Sequence, residues 1–154
     1  MSEINPEVYI RRNKLRRIFV DEFEKINRQI REACKSTGTG IDFHVKYSSH
    51  LLDRAIQREI DETYVFDLFK KLSGHVKEVI EFLQLPPMPD VEKELDPNVK
   101  YRPMRLEITD KNLWLGMTVN KSEPNTKSFG LCCRMAFVNN KRLKGKISTH
   151  EIYL

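Results

Sequence analysis

Leu15, Ile18, Phe19, Phe23, Ile26 and Ile30 recur at spacings of three and four, which draws one apolar stripe down an amphipathic helix. Asn5-Pro6 opens that helix, with Asn as N-cap and Pro at the first helical position, and Thr37-Gly38-Thr39-Gly40 stops it. The pattern leaves open a break near Val20-Asp21. Residues 41–47 then alternate apolar and polar, the period of a half-buried strand. Ser48 or Ser49 caps a short helix running from His50 to Asp61. On a helical wheel Leu51, Leu52, Ala55, Ile56 and Ile60 fill one half, with Glu59 the only intruder. His50, Asp53, Arg54, Gln57, Arg58 and Asp61 fill the other. Asp61 caps a second short helix through about Leu72, buried along Val65, Leu68, Phe69 and Leu72.

From His75 to Leu85 helix and strand compete. The alternation of Val76, Glu78, Ile80 and Phe82 with their neighbours, and the enrichment in Val, Ile and Phe, favour a strand. Leu85-Pro86-Pro87-Met88-Pro89 ends it and begins an acidic loop to about Lys100. The last third reads as strands at Met104–Thr109, Leu113–Lys121 and Ser128–Asn139. A turn at Asp110-Lys111-Asn112 joins the first two, and Ile147–Tyr153 is an edge strand after the basic loop Lys141–Lys146. Helices first and a mostly antiparallel sheet after them give the α+β class.

The chain has 154 residues, of which 40% are apolar and 32% charged. That is room for one domain, 1–154, large enough to hold a core without disulfides or metal. No apolar run approaches the roughly 20 residues of a membrane span. The N-terminus also lacks the apolar core of a signal peptide, so a soluble intracellular protein is expected. Cys34, Cys132 and Cys133 have neither CxxC nor zinc-finger spacing. Cys133 shares its parity with Leu131 and Met135 and reads as a small core residue. No structural metal and no cofactor are expected.

The net charge of +5 is unevenly spread: +3 over residues 1–35, −5 over 36–99 and +7 over 100–154. A basic final third beside an acidic middle fits a polyanion on one face, two chains packing through opposite patches, or simply a solvated basic face. Arg11, Arg12, Lys14, Arg16 and Arg17 crowd the first helix, either as its wet face or as phosphate contacts.

The sequence carries no Walker loop, GxGxxG, HExxH or GxSxG, which leaves nucleotide hydrolysis, Rossmann redox chemistry and the common hydrolase triads unsupported. What remains is four histidines, His44, His50, His75 and His150, on a basic background. His50 and Arg54, at i and i+4, share the polar face of a helix near its start, where an anion is favoured. A histidine beside a held phosphate is the minimum equipment for RNA cleavage by the 2′-hydroxyl. The bland reading has His50 capping its helix and pairing with Asp53 or Arg58. A helix-turn-helix over residues 48–72 is a poor alternative, because its second helix would present Asp61, Glu62 and Asp67 to DNA.

The run Tyr47-Ser48-Ser49-His50-Leu51-Leu52-Asp53-Arg54-Ala55-Ile56-Gln57-Arg58-Glu59-Ile60-Asp61-Glu62-Thr63-Tyr64-Val65-Phe66 resembles the RegB endoribonuclease family of T-even-like phages. So do the stretches 9–17, 101–103, 105–110, 112–116 and 133–136, and the later Arg142-Leu143. The resemblance spans nearly the whole chain, more weakly in loops 36–41, 88–100 and 120–130. It implies a fold like the RelE/YoeB toxins, with N-terminal helices packed on a four-stranded, mostly antiparallel sheet. It further implies metal-independent cutting of single-stranded early phage mRNA at GGAG in ribosome-binding sites, in the cytoplasm of the infected bacterial host. The products would be a 2′,3′-cyclic phosphate and a 5′-hydroxyl, and the outcome translational shut-off. The largest small-subunit ribosomal protein of the host is the implied stimulator; neither DNA nor a membrane is an implied partner.

Carried over by position, the family's functional histidine and arginine fall on His50 and Arg54. Its second histidine, on the next helix, falls on Lys70. A lysine there can stabilise charge but is a poor proton shuttle near neutrality, so either this residue is electrostatic rather than an acid or His75 or His44 takes over the proton. The RNA-binding candidates are Lys46, Arg58, Arg102, Arg105 and Arg134, and the candidates for base stacking are Tyr47, Tyr101 and Trp114. The alternative function is a non-catalytic RNA-binding repressor, which needs positive charge but no titrating group.

Overall fold

The computed structural model describes residues 6–87, 89, 91–120, 127–138 and 149–154. Helix α1, Pro6–Thr37, buries Leu15, Phe19, Phe23, Ile26, Ile30 and Cys34 along one continuous stripe. It passes unbroken through Val20-Asp21, correcting the break left open there. No Gly or Pro interrupts the segment, and both residues lie on its exposed side. Gly38, at φ +72°, terminates the helix in the left-handed region.

Strand β1, Asp42–Tyr47, buries Phe43 and Val45 against the helices. It lies at one edge of the sheet, and α1 satisfies its outer backbone. Asn27 Nδ2 donates to the Val45 carbonyl (3.0 Å), and Asn27 Oδ1 accepts from the Val45 N–H (2.7 Å). An edge strand that would otherwise offer free pairing groups is thereby closed by one side chain.

Ser48 Oγ caps helix α2, Ser49–Ile56, and Asp61 caps helix α3, Glu62–Leu72. The expected caps are both in place, but α2 stops at Ile56 instead of reaching Asp61. A 3-10 turn then leads into helix α4, Val76–Gln84. This segment was expected to be a strand and is a helix. Val76, Val79, Ile80 and Leu83 are all buried and sit at i, i+3, i+4 and i+7. The β-favouring residue types yield to packing of that stripe against α1.

Strands β2 (Arg105–Thr109), β3 (Leu113–Val119), β4 (Ser128–Val138) and β5 (Thr149–Tyr153) complete a sheet of order β1-β4-β3-β2-β5. The expected sheet had four mostly antiparallel strands. The described one has five and is mixed, since β1 runs parallel to β4 and β5 parallel to β2. Only the central meander β2-β3-β4 is antiparallel. The basic loop expected at 141–146 lies outside the described residues.

A register shift opposite Gly116 and Met117 leaves Arg134 as the extra residue of β4. Cys133 and Ala136 therefore both face the helices, while Met135 moves to the other face. Cys133 is a core residue, as its parity implied; burial pushes its thiol up to about 12. All three cysteines are free.

Candidate active site

Helix α2 is held by its neighbours at both ends. At its start Ser48 Oγ accepts from the Leu51 N–H (3.2 Å), which leaves His50 exposed in the first turn. Near its end Arg11 of α1 donates to the Ile56 (3.1 Å) and Ala55 (3.0 Å) carbonyls, and Arg12 pairs with Asp53 at 2.7 Å. A helix C-terminus carries partial negative charge and orphan carbonyls, so these arginines clamp α2 rather than merely solvate α1.

The end of α2 is a Schellman motif. The Glu59 N–H donates to the Arg54 carbonyl (2.9 Å) and the Arg58 N–H to the Ala55 carbonyl (3.1 Å). Arg58 takes the left-handed position at φ 60°, usually given to glycine, at a cost of about 1 kcal/mol. The same turn brings the Glu59 carboxylate to 3.2 Å from Arg54 Nε. The Arg54 guanidinium also donates to the Ala136 carbonyl of β4. Arg54 is thus anchored to strand and turn. Glu59 is a site residue the sequence flagged only as an intruder on the wheel.

His50 makes no ion pair or hydrogen bond among the described residues. The partners of the bland reading are otherwise placed: Asp53 pairs with Arg12, and Arg58 lies on the turn beyond the helix.

Lys70, in the last turn of α3, pairs with Glu22 of α1 at 3.0 Å. The Lys70 ammonium holds the Glu22 carboxyl below the usual range, helped by Lys25. Glu22 had no motif to announce it; only its place beside the buried Phe23 on α1 marks it. Rings of Phe19, Phe23, Tyr47, Phe66 and Phe69 interlock at centroid distances of 5.0–6.1 Å. This cluster ties together α1, the end of β1 and α3, and with them the backbone attachments of Glu22, His50 and Lys70.

His75 stands apart, with Nδ1 at 3.2 Å from Glu78 at the start of α4. His44 lies on the far face of the sheet from Phe43 and Val45, packed across Gly130, where a Cβ would come within 3.2 Å of its Nε2. Burial, and next Lys46, lower its pKa. No hydrogen bond or ion pair among the described residues joins His44 or His75 to His50, Arg54 or Lys70.

The basic candidates divide. Lys46 and Arg134 are exposed on the far face of the sheet, Arg134 donating through Nε to Thr118 Oγ1 (3.0 Å), and Arg58 is exposed on the α2–α3 turn. Arg105 is 7% exposed and donates to Met135 Sδ (3.2 Å). Arg102 donates to the Leu83 carbonyl (2.7 Å), lies over the Phe129 ring and has its pKa lowered by burial. Both serve the interior. Of the aromatics, Tyr47 belongs to the core cluster and the Tyr101 hydroxyl accepts from the Asp96 N–H (2.9 Å). Trp114 stands edge-on to Tyr153 on the far face, opposite Leu113 and Leu115.

An exposed histidine at a helix start, a half-buried arginine one turn on and an ion-paired lysine thus stand on the helical layer of an α+β protein. Residues 4–153 match the sequence model of the T4-phage endoribonuclease RegB family. The chain is 61% identical over 145 residues to endoribonuclease RegB of Enterobacteria phage T4, covering 94% of each. It superposes on the solution structure of the phage T4 endoribonuclease RegB with a TM-score of 0.66 and 60% identity, covering 96% of this chain and 95% of that one. The chain belongs to the RegB endoribonuclease family. It is an RNA-cleaving enzyme, which sets aside the non-catalytic repressor.

Proposed function

We propose that this enzyme cuts single-stranded early phage mRNA at GGAG in ribosome-binding sites, without a metal, by attack of the 2′-hydroxyl on the adjacent phosphate. The observation that carries the reading is the pairing of an exposed, unpartnered His50 with an Arg54 anchored one turn away. His50 takes the proton from the 2′-oxygen, which bonds to phosphorus; the bond to the 5′-oxygen breaks, leaving a 2′,3′-cyclic phosphate and a 5′-hydroxyl. Arg54 offsets the charge that builds on the phosphorane. Lys70 adds positive charge on the leaving side, and Glu22 fixes where that charge sits. Lys70 gives charge and no proton; for the proton that the departing 5′-oxygen takes up, His75 ranks first and His44 last.

The whole chain acts as one domain in the cytoplasm of the infected host; no described helix is long and apolar enough to cross a membrane. Lys46, Arg58 and Arg134 supply surface charge for RNA, with Arg102 and Arg105 supporting them from the interior. The likeness to the RelE/YoeB toxins rests on the order of helices and sheet. The largest ribosomal protein of the host's small subunit stimulates cleavage, and the result is translational shut-off. The test is incubation of a GGAG-bearing RNA with the protein in excess chelator, with mass analysis of the ends. One cut carrying a cyclic phosphate is expected; a 3′-hydroxyl product, or loss of cutting with chelator, contradicts the reading.

A further inference from the structure

The turn between α2 and α3 forms one wall of a cavity of about 400 Å³, closed on the other side by the β2–β3 turn. That volume suits a small ligand group, for which sites of roughly 300–1,000 Å³ are usual. Its place matters more than its size. Glu59 lines it and is ion-paired with Arg54, so a nucleotide whose phosphate lies on Arg54 has its neighbouring base within reach of the opening.

Several polar groups around the cavity are already engaged. Arg11 spends its Nε and Nη2 on α2 carbonyls, Glu59 pairs with Arg54, and Asp61 accepts from the Thr63 N–H (2.9 Å). Two are not: the side chains of Arg58 and of the half-buried Glu62 have no hydrogen-bond or ion-pair partner among the described residues. The Tyr64 ring lines the same cavity, fixed by its hydroxyl, which donates to the Asp110 carboxylate. The cavity therefore offers one guanidinium, one carboxylate and one aromatic face. Arg58 holds a left-handed backbone position that glycine fills more easily, so its turn gives up backbone comfort to present that guanidinium.

The geometry points to a subsite for an unstacked guanine base, adjacent to the scissile phosphate, with Glu62 and Arg58 as its specificity-determining residues. The inference rests on the RNA-cleaving site proposed above. Guanine alone presents two neighbouring donors, N1–H and the 2-amino group, to a carboxylate, together with two acceptors, O6 and N7, to a guanidinium. Adenine turns an acceptor, N1, toward Glu62, and the pyrimidines lack the second edge. Tyr64 supplies the stacking surface that single-stranded RNA recognition uses.

Two measurements test this. In an NMR titration, guanosine 5′-monophosphate should shift the Tyr64 ring and the residues around Glu62, and adenosine 5′-monophosphate should do so about tenfold more weakly. Glu62→Ala and the shape-preserving Glu62→Gln should both erase the preference. In cleavage assays, inosine lacks the 2-amino group. Placed for one guanine of a cut RNA, it should slow the native enzyme by about tenfold, and the two Glu62 variants should cut both RNAs at the same rate. An undiminished inosine penalty in both folded variants, or guanosine 5′-monophosphate shifts that avoid Tyr64, overturns the subsite. A peptide-binding cavity would give that result. Should the native protein cut no RNA, the parent reading fails while the nucleotide titration still decides the subsite.

Discussion

The Glu59 carboxylate lies 3.2 Å from Arg54 Nε, joining the residue two positions before the end of α2 to the second residue beyond its cap. A Schellman turn usually places an apolar contact there; here an ion pair aims a guanidinium. Because Glu59 is half exposed, the pair adds little to stability, at most about 1 kcal/mol. Its effect is on position. Glu59→Gln should leave the melting temperature within about 3 °C and reduce kcat several-fold. Arg54→Lys, which loses the planar fork, should cost at least ~10-fold in kcat/KM. Thermal melts and single-turnover cleavage check both.

Arg58 in the left-handed region predicts a split between stability and activity. Arg58→Gly should raise the melting temperature by about 2–4 °C, because glycine adopts that backbone without penalty. The same change should weaken RNA cleavage. A variant that is both less stable and fully active would show that the Arg58 side chain is held for packing.

The Glu22–Lys70 pair makes stability depend on pH in a defined direction. The Glu22 carboxyl titrates below its ordinary 4.5, so its stabilising contribution is complete above that value. It is lost as pH falls through the lowered folded value. The melting-temperature gap between the native protein and Glu22→Gln should therefore be constant from neutrality to about pH 5 and shrink below it. Exposure of the Lys70 end of the pair keeps the gap to a few degrees at most.

Much of the frame was legible from periodicity and caps. The Ser48-Ser49 pair and Asp61 announced α2 and α3, alternation announced β1, and the apolar stripe of α1 runs as spaced. The segment Val76–Gln84 was not legible because its residues fit two periods; burial of Val79 and Leu83 against other elements decided for helix. The parallel pairings of β1 and β5 join residues 86 and 44 apart respectively, and no local signal specifies such partners. His50 and Arg54 stood together on the wheel. Glu59 broke the wheel for a physical reason, since the helix had already ended at Ile56. Glu22 sits on an ordinary stretch of amphipathic helix, and only the packing of α3 on α1 brings Lys70 to it.

Lys70 occupies a position where charge, rather than proton transfer, is the expected contribution. Lys70→Arg should retain most of the cleavage rate, whereas Lys70→Met should lose about 10-fold or more. His75→Ala, which removes a side chain paired with Glu78, should lose less than Lys70→Met. A larger loss at His75 would show that it supplies the proton to the 5′-oxygen.

The central claim is that the RNA supplies its own nucleophile while His50 handles the proton. The most direct measurement is the cleavage rate of an RNA carrying a single 2′-deoxynucleotide at the cut position, in the presence of chelator. Cleavage at that position should stop, and folded His50→Ala protein should lose about 10²–10⁴ in rate on the all-ribose RNA. Cutting of the deoxy-substituted RNA at the normal rate and place would contradict the account, because no cyclic phosphate can form without that hydroxyl.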